Sequence, residues 1–262
     1  MINRRKFGRL LGLSYLAGRS LIRTNSAQAQ TAANVGQSRP FHIGMIIFDG
    51  MTTLDFAGPA DLFSRPPSAR VFVLAKSTEP VVSDTNGRIL PDMAFKDAPE
   101  LDMLFIGGGL GIAKTMEDDA IVGFLRERAP DARWITSVCT GALVLGTAGL
   151  LKGYKATTHW TCMDILPTLG AVPVADRVVI DRNRITGGGV TAGIDFGLVV
   201  ASQLWGEETA QLLQLGSEYD PHPPFHAGSP NTAPQAVVDR FRRLSAKSVD
   251  ERKAAALRMM AR

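Results

Sequence analysis

Only two cysteines, Cys139 and Cys162, occur in the 262 residues. That scarcity excludes a small disulfide-stapled scaffold, which is cysteine-dense. Histidine is nearly as scarce, limited to His42, His159, His222 and His226. None of the four stands in H-E-x-x-H, and His222 and His226 lie in a Pro-rich loop with no cysteine pair beside them, so no metal site is expected. No uninterrupted apolar run reaches the roughly 18 residues that a membrane span needs, and the body of the chain is not expected to cross a bilayer. What is present is an ordinary globular composition, 45% hydrophobic and 21% charged, enough for one large domain or two small ones.

Acidic residues are missing from one segment. Residues 1–29 hold Arg4, Arg5, Lys6, Arg9, Arg19 and Arg23 and no acid. The formal net charge of +4 therefore belongs to this leader, and the remaining 23 basic residues face 25 acidic ones. A body without basic excess gives no electrostatic footprint for nucleic acid, and no nucleic-acid partner is expected. Arg4-Arg5-Lys6-Phe7, a short apolar stretch over 10–18 and Ala27-Gln28-Ala29 form the n-region, h-region and processing site of an export signal. The paired arginines resemble the twin-arginine signal, although Asn3, Gly8 and Arg19 depart from its usual pattern. Cleavage before Gln30, a periplasmic mature protein and no membrane association after signal removal are the expectations. Residues 30–40 read as a linker.

From residue 41 the apolar pattern alternates between strand and helix. Residues 41–48, 71–75, 101–106 and 134–138 read as buried strands, with further candidates at 156–159, 178–180 and 184–186. Residues 54–63, 118–128, 141–151, 194–204 and 207–215 read as helices, 221–234 as a Pro-rich loop, and 235–262 as a charged helix. This order predicts an α/β fold with a mostly parallel sheet covered on both faces. Such sheets carry their chemistry at the carboxyl ends of the strands. The expected division is a leader at 1–29, a linker at 30–40, a catalytic domain at 41–245 and a charged C-terminal helix or tail at 246–262.

Ser137-Val138-Cys139-Thr140-Gly141-Ala142 sets a cysteine between a strand and a helix. This is the thiol counterpart of a nucleophile elbow, with small neighbours that let the helix approach. The helix N-terminus is expected to favour the thiolate. The same local pattern also suits a buried apolar cysteine. Cys162 is expected to be a buried free thiol. Asp55 stands where an N-cap would, and position alone gives it no more than that role. Gly107-Gly108-Gly109 follows a strand, and such a turn lets backbone N–H groups approach a substrate. No Gly-Lys-Ser/Thr follows it, which discounts a phosphate cradle.

Cys139-Thr140-Gly141, Ala148-Gly149-Leu150-Leu151 and Ala156-Thr157-Thr158-His159-Trp160 resemble the ThiJ/PfpI superfamily, as do Leu54-Asp55-Phe56-Ala57-Gly58-Pro59 and the segment around Gly187-Gly188-Gly189-Val190. The resemblance covers about residues 41–244. It implies a flavodoxin-like three-layer sandwich with a nucleophile-elbow cysteine, no cofactor, a small-molecule substrate and a homodimer. The sequence is most similar to the isonitrile-hydrating members, which implies a lyase converting an isonitrile and water to an N-substituted formamide. Asp55 then becomes the water-activating carboxyl, shorter than the Glu that many members carry. Thr140 stands where peptidase-like members carry His, which argues against peptide cleavage. By the same resemblance Thr140 and Gly109 supply backbone donors near Cys139, and Gly108, His159 and Trp160 line the substrate site. Gly107 departs from the usual Pro. Two alternatives stay open: a glyoxalase- or amidase-like hydrolase on the same site, and a non-enzymatic periplasmic redox-sensing or ligand-binding protein.

Overall fold

The computed structural model describes residues 39–262. The leader, its processing site and nearly all of the linker lie outside the described residues.

Strand β1 (Phe41–Ile46) leads through a turn into helix α1 (Thr53–Phe63). The chain continues through β2 (Ala69–Ala75), a hairpin of β3 (Val81–Val82) and β4 (Arg88–Ile89), the short β5 (Met93–Ala94) and β6 (Met103–Ile106). Helices α2 (Ile112–Met116) and α3 (Asp119–Arg128) follow, then β7 (Trp134–Val138) and α4 (Gly141–Thr147). Next come β8 (Lys155–Ala156), a 3-10 helix over Trp160–Leu169, β9 (Val172–Pro173), β10 (Val178–Asp181) and β11 (Arg184–Gly187). Helices α5 (Ala192–Trp205), α6 (Glu207–Gly216) and α7 (Gln235–Met260) complete the chain. The main sheet has seven strands in the order β10-β11-β7-β6-β1-β2-β5. Within that sheet, among the described residues, only the β10–β11 pair is antiparallel.

Strand β6 shows why the sheet lies between two layers. Its four residues are all buried. Met103 and Phe105 face a cluster with Phe63 of α1 and Phe196 of α5, whereas Leu104 and Ile106 face one with Leu143 of α4 and Leu125 of α3. A period-two strand with both faces apolar belongs in the middle of a three-layer α/β sandwich. Helix α3 starts where the sequence puts it, because the Asp118 carboxylate accepts the N–H groups of Ala120 and Ile121.

Two expectations are corrected. Of the strand candidate at 156–159, only Ala156 belongs to a strand, and β8 pairs with β9 outside the main sheet. The Thr157 N–H goes instead to Thr186 Oγ1, and the Thr158 hydroxyl goes to the Cys139 carbonyl, so these residues follow side-chain partners rather than a ladder. The boundary between 245 and 246 falls inside α7, whose Arg252, Ala255 and Ala256 are buried. The residues beyond 245 are the helix of the two forms expected there, and that helix packs into the body.

Candidate active site

Four neighbouring parallel strands, β11, β7, β6 and β1, end on the same side of the sheet. The turns after them bring together Val190, Cys139, the three glycines 107–109 and, at the start of α1, Asp55.

Cys139 occupies the elbow between β7 and α4 with φ of +54°. A non-glycine residue held there is strained, and the surrounding bonds hold it in place. Its N–H donates to the carbonyls of Gly187 and Gly188, at 3.0 and 2.8 Å, and its carbonyl accepts the Thr158 hydroxyl at 2.8 Å. Only 5% of Cys139 is exposed.

Asp55 is fully buried. Its Oδ2 accepts the Gly108 N–H at 2.7 Å, while Oδ1 is buried without a hydrogen-bond partner among the described residues. Burial pushes the carboxyl up to about 6; the Gly108 N–H and the Cys139 thiol pull the other way, and the charge of Asp84 adds to the rise.

The glycine turn needs its glycines. A Cβ on Gly108 would stand 2.5 Å from Thr140 Oγ1 and 2.9 Å from Cys139 Cβ. Gly109 has φ of +149°, and a Cβ there would strike the Gly50 carbonyl oxygen. Gly107 puts its α-carbon against Asp55, since a Cβ there would touch that of the acid.

Two details differ from expectation. The first is the thiol's protonation state. Burial, and next the charge of Asp55, push Cys139 well above the ordinary thiol range, so it rests as a neutral thiol. The N–H groups of Val190 and Thr140 act on the sulfur in the opposite sense but are outweighed. A helix start seven residues long does not offset full desolvation. The second is the donor set. The Gly109 N–H is turned to Thr140 Oγ1 at 3.2 Å, so the donor that accompanies Thr140 at the sulfur is the N–H of Val190. Val190 sits at φ of +24° directly after three glycines, and those glycines were the available sequence signal.

His159 and Trp160 lie beside the elbow. A cleft of about 700 Å³ runs past Thr158, His159, Trp160, Gly188 and Val190 to α7, where Val238 and Arg242 line it. Thr158, Gly188 and Val190 all contact Cys139, so the cleft reaches the elbow's backbone. The His159 ring is held by Thr161 Oγ1 at 2.8 Å, and the Gly189 backbone packs against it. Burial, then the positive charge of Arg252, lowers His159 to about 4, leaving it neutral near pH 7. Cys162 is a buried free thiol, as expected, and no group of three or more potential metal ligands occurs among the described residues. His222 and His226 are exposed. No helix among the described residues is long and apolar enough to cross a membrane.

Comparison with known proteins places this geometry. The DJ-1/PfpI family profile matches residues 42–203. The chain is 51% identical over 207 residues to an isonitrile hydratase of Pseudomonas putida, covering 79% of this chain and 91% of that protein. A glutathione-independent glyoxalase of Caenorhabditis elegans is 32% identical over 55% of this chain and 79% of its own length. Among solved structures, a ThiJ/PfpI family protein from Pseudomonas syringae superposes with a TM-score of 0.82 at 43% identity, over 89% of this chain and 97% of that one. Schizosaccharomyces pombe DJ-1, at 22% identity and TM-score 0.60, shares the fold over 69% of this chain and all of its own. With its elbow cysteine, its parallel sheet and the extent of these matches, the chain belongs to the DJ-1/PfpI family.

Proposed function

We propose that the protein is an isonitrile hydratase-type lyase, using Cys139 as nucleophile and Asp55 as the group that activates water. The observation that carries the reading is the 51% identity spanning 91% of the Pseudomonas putida isonitrile hydratase. The geometry supports it with a buried thiol, a buried carboxyl of raised pKa and no histidine at position 140.

The chemistry follows from the protonation states. An isonitrile carbon carries a lone pair and must gain a proton. The neutral Cys139 thiol carries that proton itself. Sulfur bonds to the carbon as the S–H proton passes to the same carbon, giving a thioimidate, R–N=CH–S. The Asp55 carboxylate then takes a proton from water, hydroxide adds to the carbon, and Asp55 gives the proton to nitrogen. Asp55 next takes the hydroxyl proton as the C=O bond forms and the C–S bond breaks, and returns it to the departing sulfur. One isonitrile and one water become one N-substituted formamide, and no cofactor enters. The N–H groups of Thr140 and Val190 favour negative charge on sulfur during that departure.

Export through the Arg4-Arg5 leader to the periplasm belongs to the same reading, as does a homodimer, which rests on family resemblance alone. The test is turnover by the mature chain. Loss of an alkyl isonitrile with formamide formation is expected. Consumption of methylglyoxal with no isonitrile turnover would overturn the reading in favour of glyoxalase chemistry, the activity named for the Caenorhabditis elegans relative.

A further inference from the structure

The family profile ends at residue 203, yet the glycine turn is bonded from beyond it. Arg252 of α7 is 6% exposed. Its Nη2 donates to the Gly109 carbonyl at 3.1 Å, across 143 residues of sequence, and its Nη1 approaches Cys162 Sγ at 3.7 Å. Its Nε is buried without a hydrogen-bond partner, and none of the ion pairs among the described residues includes its guanidinium. A buried, uncompensated cation is costly to fold around, and an apolar side chain of similar size is often less so. Core packing therefore does not explain this residue. Its one strong hydrogen bond falls on the peptide unit whose neighbours form the site. The Gly108 N–H holds Asp55 Oδ2 and the Gly109 N–H holds Thr140 Oγ1. Turning the Gly109 carbonyl would disturb the turn that presents both donors.

We propose that Arg252 is a positioning residue for the hydration site, acting through the Gly109 carbonyl to hold the glycine turn against Asp55 and Thr140. Helix α7 thereby becomes part of the catalytic scaffold, and the same helix lines the cleft with Val238 and Arg242. The charged or titratable groups that bear on Asp55 are Cys139 from the elbow and Asp84 from the turn between β3 and β4. Arg252 acts on Asp55 through the peptide rather than by direct charge.

The inference rests on the hydratase reading for its kinetic test but not for its second readout. Arg252→Met removes the guanidinium while keeping the volume. It is expected to melt at or above the wild-type temperature, yet to lose at least about 10-fold in kcat with KM changed less than threefold. Loosening the Gly108 donor removes a bond that favours ionised Asp55, so the acid limb of the kcat/KM profile should move up from about 6 by roughly one unit. Infrared titration of the protonated carboxyl stretch, assigned by its loss in Asp55→Asn, reads the same midpoint without substrate. Should Arg252→Met not fold, Arg252→Lys keeps the charge but reaches only one of the two partners, and a loss of about threefold or more with an upward midpoint shift is expected. A folded Met or Lys variant with wild-type kcat/KM and an unmoved Asp55 midpoint overturns the proposal. If wild-type protein turns over no isonitrile, the hydratase reading fails, while the infrared midpoint still decides the role of Arg252.

Discussion

Asp55→Asn should make the protein more stable and less active at once. In the folded protein burial raises the carboxyl from 3.8 to about 6. Between those values the folded state binds more protons than the unfolded state, so stability falls as pH rises through the window and levels off above it. At about 1.4 kcal/mol per pH unit the ionised carboxylate costs roughly 3 kcal/mol at pH 7.5. Asparagine removes that charge and keeps an oxygen for the Gly108 N–H. Its amide N–H₂ lies where Oδ1 now has no partner, which returns about 1 kcal/mol as an unsatisfied donor. The net gain is about 2 kcal/mol at pH 7.5, or roughly 4–8 °C in Tm for a domain of this size. Below about pH 4 Asp55 is protonated in the folded state, so the gain should be lost and, because the unsatisfied amide remains, give way to a deficit approaching about 1 kcal/mol. Denaturant melts of both proteins at pH 4, 5, 6 and 7.5 test this. The variant should pass from slightly less stable near pH 4 to about 2 kcal/mol more stable by pH 6.5, with the difference constant above. Isonitrile hydration in the same samples should fall by about 10²–10⁴-fold. An Asn variant less stable than wild type at pH 7.5, or a difference independent of pH, would refute the claim that Asp55 is held at an energetic cost.

Cys139→Ser should keep the fold and lose hydration, because a serine hydroxyl without an adjacent histidine is a poor nucleophile near neutral pH; wild-type turnover by that variant would exclude covalent catalysis. Gly109→Ala must combine a left-handed φ with a methyl against the Gly50 carbonyl, and a loss of about 3 kcal/mol in a denaturant melt is expected, so unchanged stability would contradict the turn geometry. His159 should show an NMR titration midpoint near 4 and none between pH 6 and 8; a midpoint near 6.5 would mean that neither burial nor Arg252 governs it. Arg4→Lys with Arg5→Lys should leave precursor in the cytoplasm on fractionation, and normal processing would rule out the twin-arginine route.

The strands of the sheet were readable because their burial is local in pattern. Residues 103–106 are apolar on both faces, and Asp118 announces the start of α3. The elbow was readable for a similar reason: a cysteine flanked by small residues between a strand and a helix fits few other arrangements. What sequence reasoning missed depends on distance or desolvation. The Arg252 contact spans 143 residues, and nothing in a helix of mixed charge marks one arginine as buried. The neutral resting state of Cys139 is not legible in the sequence, where a helix terminus is visible but complete burial is not. The use of the Val190 N–H in place of that of Gly109 follows from the path of the turn after β11, which three consecutive glycines leave unconstrained in the sequence.

The division of labour between Cys139 and Asp55 is tested most directly by intact-mass spectrometry of Asp55→Asn after incubation with an alkyl isonitrile. The thiol brings its own proton to the isonitrile carbon, so the first step should survive the substitution while the water step fails. The variant should gain the mass of one isonitrile, and peptide mapping should place it on Cys139. A folded Asp55→Asn protein that stays unmodified at Cys139 would contradict a thioimidate formed before water is activated.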